Sequence, residues 1–218
     1  MTQLATASLA ETPLHDWHAA HGAKLVDFAG WSMPVHYGSI VAEHQAARRA
    51  AALFDVSHMG RLKFGGPGGG AFLEGLLTRR ASDMAVGQIR YSLVTNEVGG
   101  ILDDVLIYRL ADRDGTSQYL LVVNASNRAK ILNWIRFRLS GREDVFLNDV
   151  TRETAMIAVQ GPLAIKLVES IAGENLAAMK YYHGRQTQIA GSASIVSRTG
   201  YTGEDGFELT VPAEAAIG

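Results

Sequence analysis

Two adjacent acids, Asp103 and Asp104, sit in NEVGGILDDVLIYRL (96–110), a stretch that otherwise reads as a packed strand. Ile101, Leu102, Val105, Leu106, Ile107 and Tyr108 are β-branched, aromatic or bulky aliphatic, which suits a pleated, half-buried surface. Successive strand side chains point to opposite faces. Asp104 then shares a face with Leu102, Leu106, Tyr108 and Leu110, and Asp103 shares one with Ile101, Val105, Ile107 and Arg109. Both faces are apolar, so both carboxylates head for protein rather than water. An unpaired buried carboxylate is costly or changes its pKa. Backbone N–H groups of the Gly99–Gly100 turn can satisfy one acid, which leaves the other for a ligand cation or N–H donor. Asp104, on the more uniformly apolar face, is the one assigned to function.

A second acidic group lies in RTGYTGEDGFEL (198–209), where closely spaced glycines bracket Tyr201, Glu204 and Asp205. A tight loop of this kind fixes side-chain directions and suits ligand recognition. The same pattern also fits a surface hairpin with solvated acids. His15, His18 and His21 recur every three residues, which spreads them around a helix instead of pairing them as metal ligands, so partly exposed helix histidines and no metal are expected. GGPGGG (65–70) lacks the Gly-Lys-Ser/Thr ending of a phosphate loop and reads as a turn.

These residues must be positioned by a regular alternation of elements. TPLHDWHAAHG reads as a short helix with Thr12 as N-cap and Gly22 as its stop. Ser39 to Ala52 reads as a helix, Ala71 to Arg80 as another, and Ser126 to Leu139 as a third. Ile89 to Thr95 and Ile101 to Leu110 pair as a hairpin; a four-residue loop, 96–99, setting Thr95 opposite Gly100 and Tyr91 opposite Asp104, or a bulge with the same effect, is expected over a five-residue loop that would put Ser92 opposite Asp104. ADRDGTS is a turn, and strands follow at 118–123 and 145–150. Between 58 and 150 the order is β-α-β-β-β-α-β, a split βαβ arrangement with one additional strand. Beyond it come a strand at 154–160, a helix from Pro162, and three strands ending at Val211, after which PAEAA opens a helix. The expected organisation is one domain of residues 1–57 plus 151–218, with 58–150 inserted in it.

Composition narrows the class. The 218 residues are 47% hydrophobic and 19% charged, evenly spread, which places the chain among globular proteins. The formal net charge of −2 gives no reason to expect nucleic acid or an anionic membrane as partner. No apolar run reaches spanning length. The absence of cysteine excludes disulfides and Cys-ligated zinc and fits a reducing compartment. MTQLATASLAE lacks the features of a secretory signal and reads as a frayed tail.

Several stretches resemble one family. TPLHDWHAAHGAKLVDFAGWSMPVHY, LFDVSHMG, TNEVGGILDD, VQGP and RTGYTGEDGFEL occur here in the order seen in aminomethyltransferases, the T-proteins of the glycine cleavage system. The resemblance runs from about Thr12 to Val211. It implies an α+β fold of lobes around a folate channel. The middle lobe would be ferredoxin-like and inserted in a discontinuous first lobe, and a C-terminal β-barrel lobe would be absent from this chain. It implies transfer of an aminomethyl group from the lipoyl arm of H-protein to tetrahydrofolate, giving methylene-tetrahydrofolate, ammonia and the dihydrolipoyl protein in the bacterial cytoplasm. The family's functional acid corresponds to Asp104, its pterin-reading glutamate to Glu204, and a tyrosine of the folate site to Tyr91. Asn124 is a further candidate for the channel, and Asp103 is left as a turn-stabilising residue. The family's folate-holding arginines would lie beyond Gly218. A folate-dependent demethylase or a non-catalytic folate-binding fragment is the alternative, whereas the iron–sulfur-assembly relatives carry a cysteine loop that this chain lacks.

Overall fold

The computed structural model describes residues 8–217. The chain opens with α1 (His15–Ala20), a hairpin of β1 (Lys24–Phe28) and β2 (Trp31–His36), α2 (Ile40–Arg49) and β3 (Ala52–Asp55). Next come β4 (Gly60–Gly65), α3 (Gly69–Leu76), β5 (Ile89–Thr95), β6 (Ile101–Arg113), β7 (Thr116–Val123), α4 (Arg128–Leu139) and β8 (Phe146–Asp149). The series ends with β9 (Thr154–Gln160), α5 (Ala164–Ala172), β10 (Gly184–Ile189), β11 (Ser192–Ser197) and β12 (Gly206–Pro212). The β-α-β-β-β-α-β order expected between 58 and 150 is the order observed.

Two five-stranded antiparallel sheets form, ordered β10-β11-β12-β9-β3 and β5-β6-β7-β4-β8. The first draws its strands from both sides of the second. Strand periodicity explains how they pack. Val105 and Ile107 of β6 face α3 and α4 in a core with Leu73, Leu121 and Ile131, whereas Leu106 and Tyr108 face the other sheet and meet Met156 and Ile195. α5 covers the outer side of the first sheet through Val168 against Val159 and Phe207. Each fully buried aliphatic contributes roughly 1.5–3 kcal/mol.

The chain passes between the sheets near 56–60 and again near 150–153, and Arg61 grips both passages. Its side chain is fully buried. All five N–H donors find acceptors: Nε donates to Thr154 Oγ1 at 2.8 Å, Nη1 to the carbonyls of Ser57 and Met59 at 3.1 and 2.6 Å, and Nη2 to those of Thr151 and Thr154. Burial lowers its pKa to about 10.

Several boundaries differ from expectation for local reasons. Thr12 does not cap α1, which starts at His15, because its hydroxyl donates to the Asp55 carboxylate at 2.7 Å. Residues 1–7 of the expected tail lie outside the described residues, but Ala10 is tied to Gly30 and Ser32 by backbone hydrogen bonds, so the frayed reading fails there. α2 ends at Arg49, since Ala52 and Leu53 pair with Gln160 and Val159. α3 takes in two glycines of GGPGGG and stops at Leu76, because Leu77 bridges Val94. The rest of that stretch packs on the 142–144 loop: a Cβ on Gly68 would fall on the Asp144 carboxylate. β6 runs on to Arg113, and the turn shrinks to Asp114 and Gly115, both with positive φ. The helix expected after Pro212 is a single 3-10 turn, Ala213–Ala215.

Candidate functional site

The β5–β6 hairpin sets the direction of the first acidic pair. Asn96 closes the loop, its Oδ1 accepting the N–H of Val98 and Gly100 at 3.1 and 2.7 Å. Thr95 pairs with Ile101, so the loop has one residue more than the four expected. A bulge at Leu102 then restores the phase, pairing Val94 with Asp103 and Leu93 with Asp104. Tyr91 therefore lies opposite Leu106, not Asp104, but on the same face as Asp104 and diagonal to it. Leu102 turns to the helix-covered core, so the expectation that it shares the face of Asp104 is also overturned.

The pair divides its labour differently from expectation. Asp103 is the buried acid and Asp104 is exposed. The Gly99–Gly100 turn satisfies neither, since Gly100 N–H goes to Asn96. Asp103 instead accepts from Asn124 N at 3.0 Å, Asn124 Nδ2 at 2.9 Å and Asn127 Nδ2 at 2.5 Å, which overturns its reading as a turn residue. Asn124 Nδ2 also reaches the Asp104 carbonyl and Oδ1 at 2.9 and 3.0 Å. Asp103 thus locks the amide that orients Asp104, whose carboxylate also has the Tyr91 hydroxyl beside it.

A third carboxylate completes the group. Glu208 lies mid-strand in β12, buried, and among the described residues no cation is paired with it. Thr199 Oγ1 donates to it, and Thr199 is 3.0 Å from Ser197 Oγ. Burial pushes the Glu208 carboxyl up, partly offset by Thr199. The Tyr108 hydroxyl next to it is buried without a hydrogen bond of good geometry, and burial and Glu208 push that phenol up. Tyr201 is raised by desolvation and, in smaller part, by Tyr182, Glu208, Asp104 and Tyr91. Tyr91 is raised by desolvation and by Asp104. Glu204 is differently placed: its Oε1 accepts from Arg48 Nη1 at 2.9 Å, so its charge is already matched within the chain. Of the sequence candidates, Asp104, Tyr91 and Asn124 come together; Glu204 is held by Arg48. Glu208 is the residue missed, although an acid between Phe207 and Leu209 is the same anomaly that marked Asp103 and Asp104.

A separate cleft of about 850 Å³ lies between α1, β2, α2 and β3, lined mostly by apolar side chains, and none of the sequence candidates lines it. His18, expected to be partly exposed, is buried in its wall, with Nδ1 2.5 Å from Tyr37 Oη and Nε2 2.9 Å from Asp55 Oδ2. Burial would raise Asp55, but hydrogen bonds from Ser57, Thr12 and His18 hold it below the usual carboxylate value. Among the described residues no group of three or more His, Cys, Asp or Glu is placed to hold a metal, and no helix is long and apolar enough to cross a membrane.

A family model described as GCVT N-terminal domain matches residues 14–218. The chain belongs to the GCVT family. Among its GCVT relatives, aminomethyltransferases of Rubrobacter xylanophilus and Saccharopolyspora erythraea are 47% and 44% identical over 99% and 94% of this chain, but over only 56% and 55% of their own length. The chain thus spans about half the length of the curated relatives it matches. The crystal structure of glycine cleavage system aminomethyltransferase T from Bartonella henselae superposes with a TM-score of 0.86 at 36% identity, over 96% of this chain and 55% of that one. A chain of the heterotetrameric sarcosine oxidase from Corynebacterium sp. U-96 shares the fold, with a TM-score of 0.62 at 17% identity over 93% of this chain and 87% of that one. GCVT membership agrees with the antiparallel, helix-covered sheets that hold Asp104, Tyr91, Asn124 and Glu208.

Proposed function

We propose that this chain carries the folate-binding part of a glycine cleavage aminomethyltransferase, which passes an aminomethyl group from the lipoyl arm of H-protein to tetrahydrofolate. The products are methylene-tetrahydrofolate, ammonia and the dihydrolipoyl protein. The observation that carries this reading is the placing of Tyr91 diagonal to the Asn124-oriented Asp104 on one sheet face, with a buried Glu208 that no cation pairs among the described residues. The names of the relatives support it.

Tetrahydrofolate fits that group. A pterin edge offers paired N–H donors, and Glu208 with the unpartnered Tyr108 hydroxyl lacks just such partners. We assign pterin recognition to Glu208 in place of Glu204, whose carboxylate is held by Arg48. When bound, tetrahydrofolate supplies the amine nitrogens that take up the one-carbon unit. Asp104, oriented by Asn124, holds an N–H of the incoming amine and stabilises positive charge developing beside it. That charge is weak while water reaches it and strengthens once a ligand covers the exposed face. Tyr91 and Tyr201 stay protonated and donate from the rim.

On this reading residues 1–57 and 151–218 form one lobe with 58–150 inserted, H-protein is the macromolecular partner, and the cytoplasm is the site of action. The share of the relatives that this chain spans favours a second reading, a folate-binding module that does not complete catalysis unaided. Calorimetry with 5-formyl-tetrahydrofolate tests both. Saturable binding is expected, weakened roughly 10–100-fold by Glu208→Gln and unchanged by Glu204→Gln, as for loss of one charge-assisted hydrogen bond. No binding by the folded chain, or a loss confined to Glu204→Gln, defeats the assignment.

A further inference from the structure

The groups that hold Glu208 are neutral hydroxyls, and they close on themselves. Strand register sets Ser197 of β11 directly opposite Glu208 of β12, so the two side chains stand on one face. Thr199 follows two residues later, past the end of β11, and both hydroxyl residues are buried. Thr199 Oγ1 meets Glu208 Oε2, Ser197 Oγ lies 3.0 Å from Thr199 Oγ1, and Ser197 Oγ lies 3.2 Å from the Glu208 carbonyl oxygen. The contacts make a circuit that leaves from the Glu208 carboxyl and returns to the carbonyl of the same residue. The titratable groups near enough to feel the charge of Glu208 are the phenols of Tyr108, Tyr181 and Tyr201, and among the described residues none is a cation.

A hydroxyl carries one donor and also accepts, so this circuit can run in either direction. With Glu208 ionised, Thr199 O–H donates to the carboxylate, and Ser197 O–H donates to Thr199 Oγ1 or to the Glu208 carbonyl. With Glu208 protonated, its own O–H donates to Thr199 Oγ1, Thr199 O–H to Ser197 Oγ, and Ser197 O–H to the carbonyl. Neither state strands a hydroxyl of the circuit. A cation in the place of Thr199 would favour only the ionised form, and an apolar residue only the neutral one. We propose that Thr199 and Ser197 are positioning residues for Glu208, whose hydroxyls keep the carboxyl in one orientation through loss or gain of its proton. A ligand that brings N–H donors then meets a carboxylate already aimed. That last step rests on the pterin reading of Glu208 above; the circuit itself does not.

The test titrates the chain labelled with 13C at its glutamate carboxyl carbons by NMR, the Glu208 signal being the one lost in Glu208→Gln. Thr199→Val removes a donor that the ionised form uses. Ser197→Ala removes an acceptor that the circuit needs only when Glu208 is protonated. The two substitutions should therefore move the Glu208 midpoint in opposite directions, up by about one unit for Thr199→Val and down by about half a unit for Ser197→Ala. Thr199→Ser should restore the parent value. Shifts of one sign, or none, in variants with native circular dichroism overturn the proposal. If Thr199→Val does not fold, a downward shift in Ser197→Ala with a parent-like Thr199→Ser supports the circuit, and any other pair of values overturns it. Calorimetry with 5-formyl-tetrahydrofolate then separates the circuit from the pterin reading. Where the parent binds, Thr199→Val should weaken binding about tenfold at pH 6, the equivalent of one pKa unit, and less at pH 9. An equal loss at both pH values makes Thr199 a packing residue and overturns its positioning role. Opposite NMR shifts in a folded chain that binds no folate support the circuit and defeat the pterin reading alone.

Discussion

The acids of β6 and those of the 204–208 segment solve one problem in opposite ways. In β6 the buried acid, Asp103, accepts three N–H bonds, and the exposed one, Asp104, meets one Asn124 amide and the Tyr91 hydroxyl. In the second segment the more exposed acids, Glu204 and Asp205, are matched by Arg48 and Arg198, and the buried one, Glu208, has among the described residues only a neutral hydroxyl. Burial therefore does not tell a structural carboxylate from a functional one; the partner list does. Asp103 and Glu208 have similar exposure, yet Asp103 accepts three N–H bonds and Glu208 one hydroxyl.

Several substitutions would break or sharpen that contrast. The largest effect belongs to Asp103→Ala, which strands the Asn124 and Asn127 donors. Urea unfolding should show a loss of about 3 kcal/mol, and an effect below about 1 kcal/mol would mean that the asparagines find other acceptors. Next comes the pH dependence of Glu208→Gln. The Glu208 pKa is raised in the folded state, so its protonated form is favoured there. The stability it lends is fully present below the unfolded value near 4.5 and is lost as pH rises through the folded value. Glu208→Gln should thus gain on the parent as pH rises from 4 to 8, and parallel pH–stability curves would refute the buried carboxylate. Arg48→Met should lower stability by no more than about 1 kcal/mol, less in high salt, because the pair is part-exposed. Asp104→Asn should be the mildest, within about 0.5 kcal/mol. A larger loss would make Asp104 a structural residue.

Much of the fold was legible in the residues. The β5–β6 hairpin and β9 follow from composition and turn chemistry, and the observed spans of β5 and β9 coincide with those read. Helix ends were less legible, since α2 and α3 are cut short by pairings of β3 and Leu77 with strands distant in sequence. The site was half legible. A pair of acids in an apolar strand announces itself, but which acid is buried depended on one bulge residue, Leu102, whose position no local pattern fixes. Glu204 stood out by its glycine-rich setting, and its partner Arg48 lies 156 residues away. Glu208 escaped notice because a lone acid in a strand is ordinary until its burial is known.

Arg61 has a consequence beyond its hydrogen bonds. One guanidinium holds both passages of the chain between the sheets, so the two sheets share a latch as well as a common core. No other side chain of natural type supplies five donors in a rigid plane, and lysine offers only three from a single point. A single position of β4 thus ties both passages of the chain to one side chain.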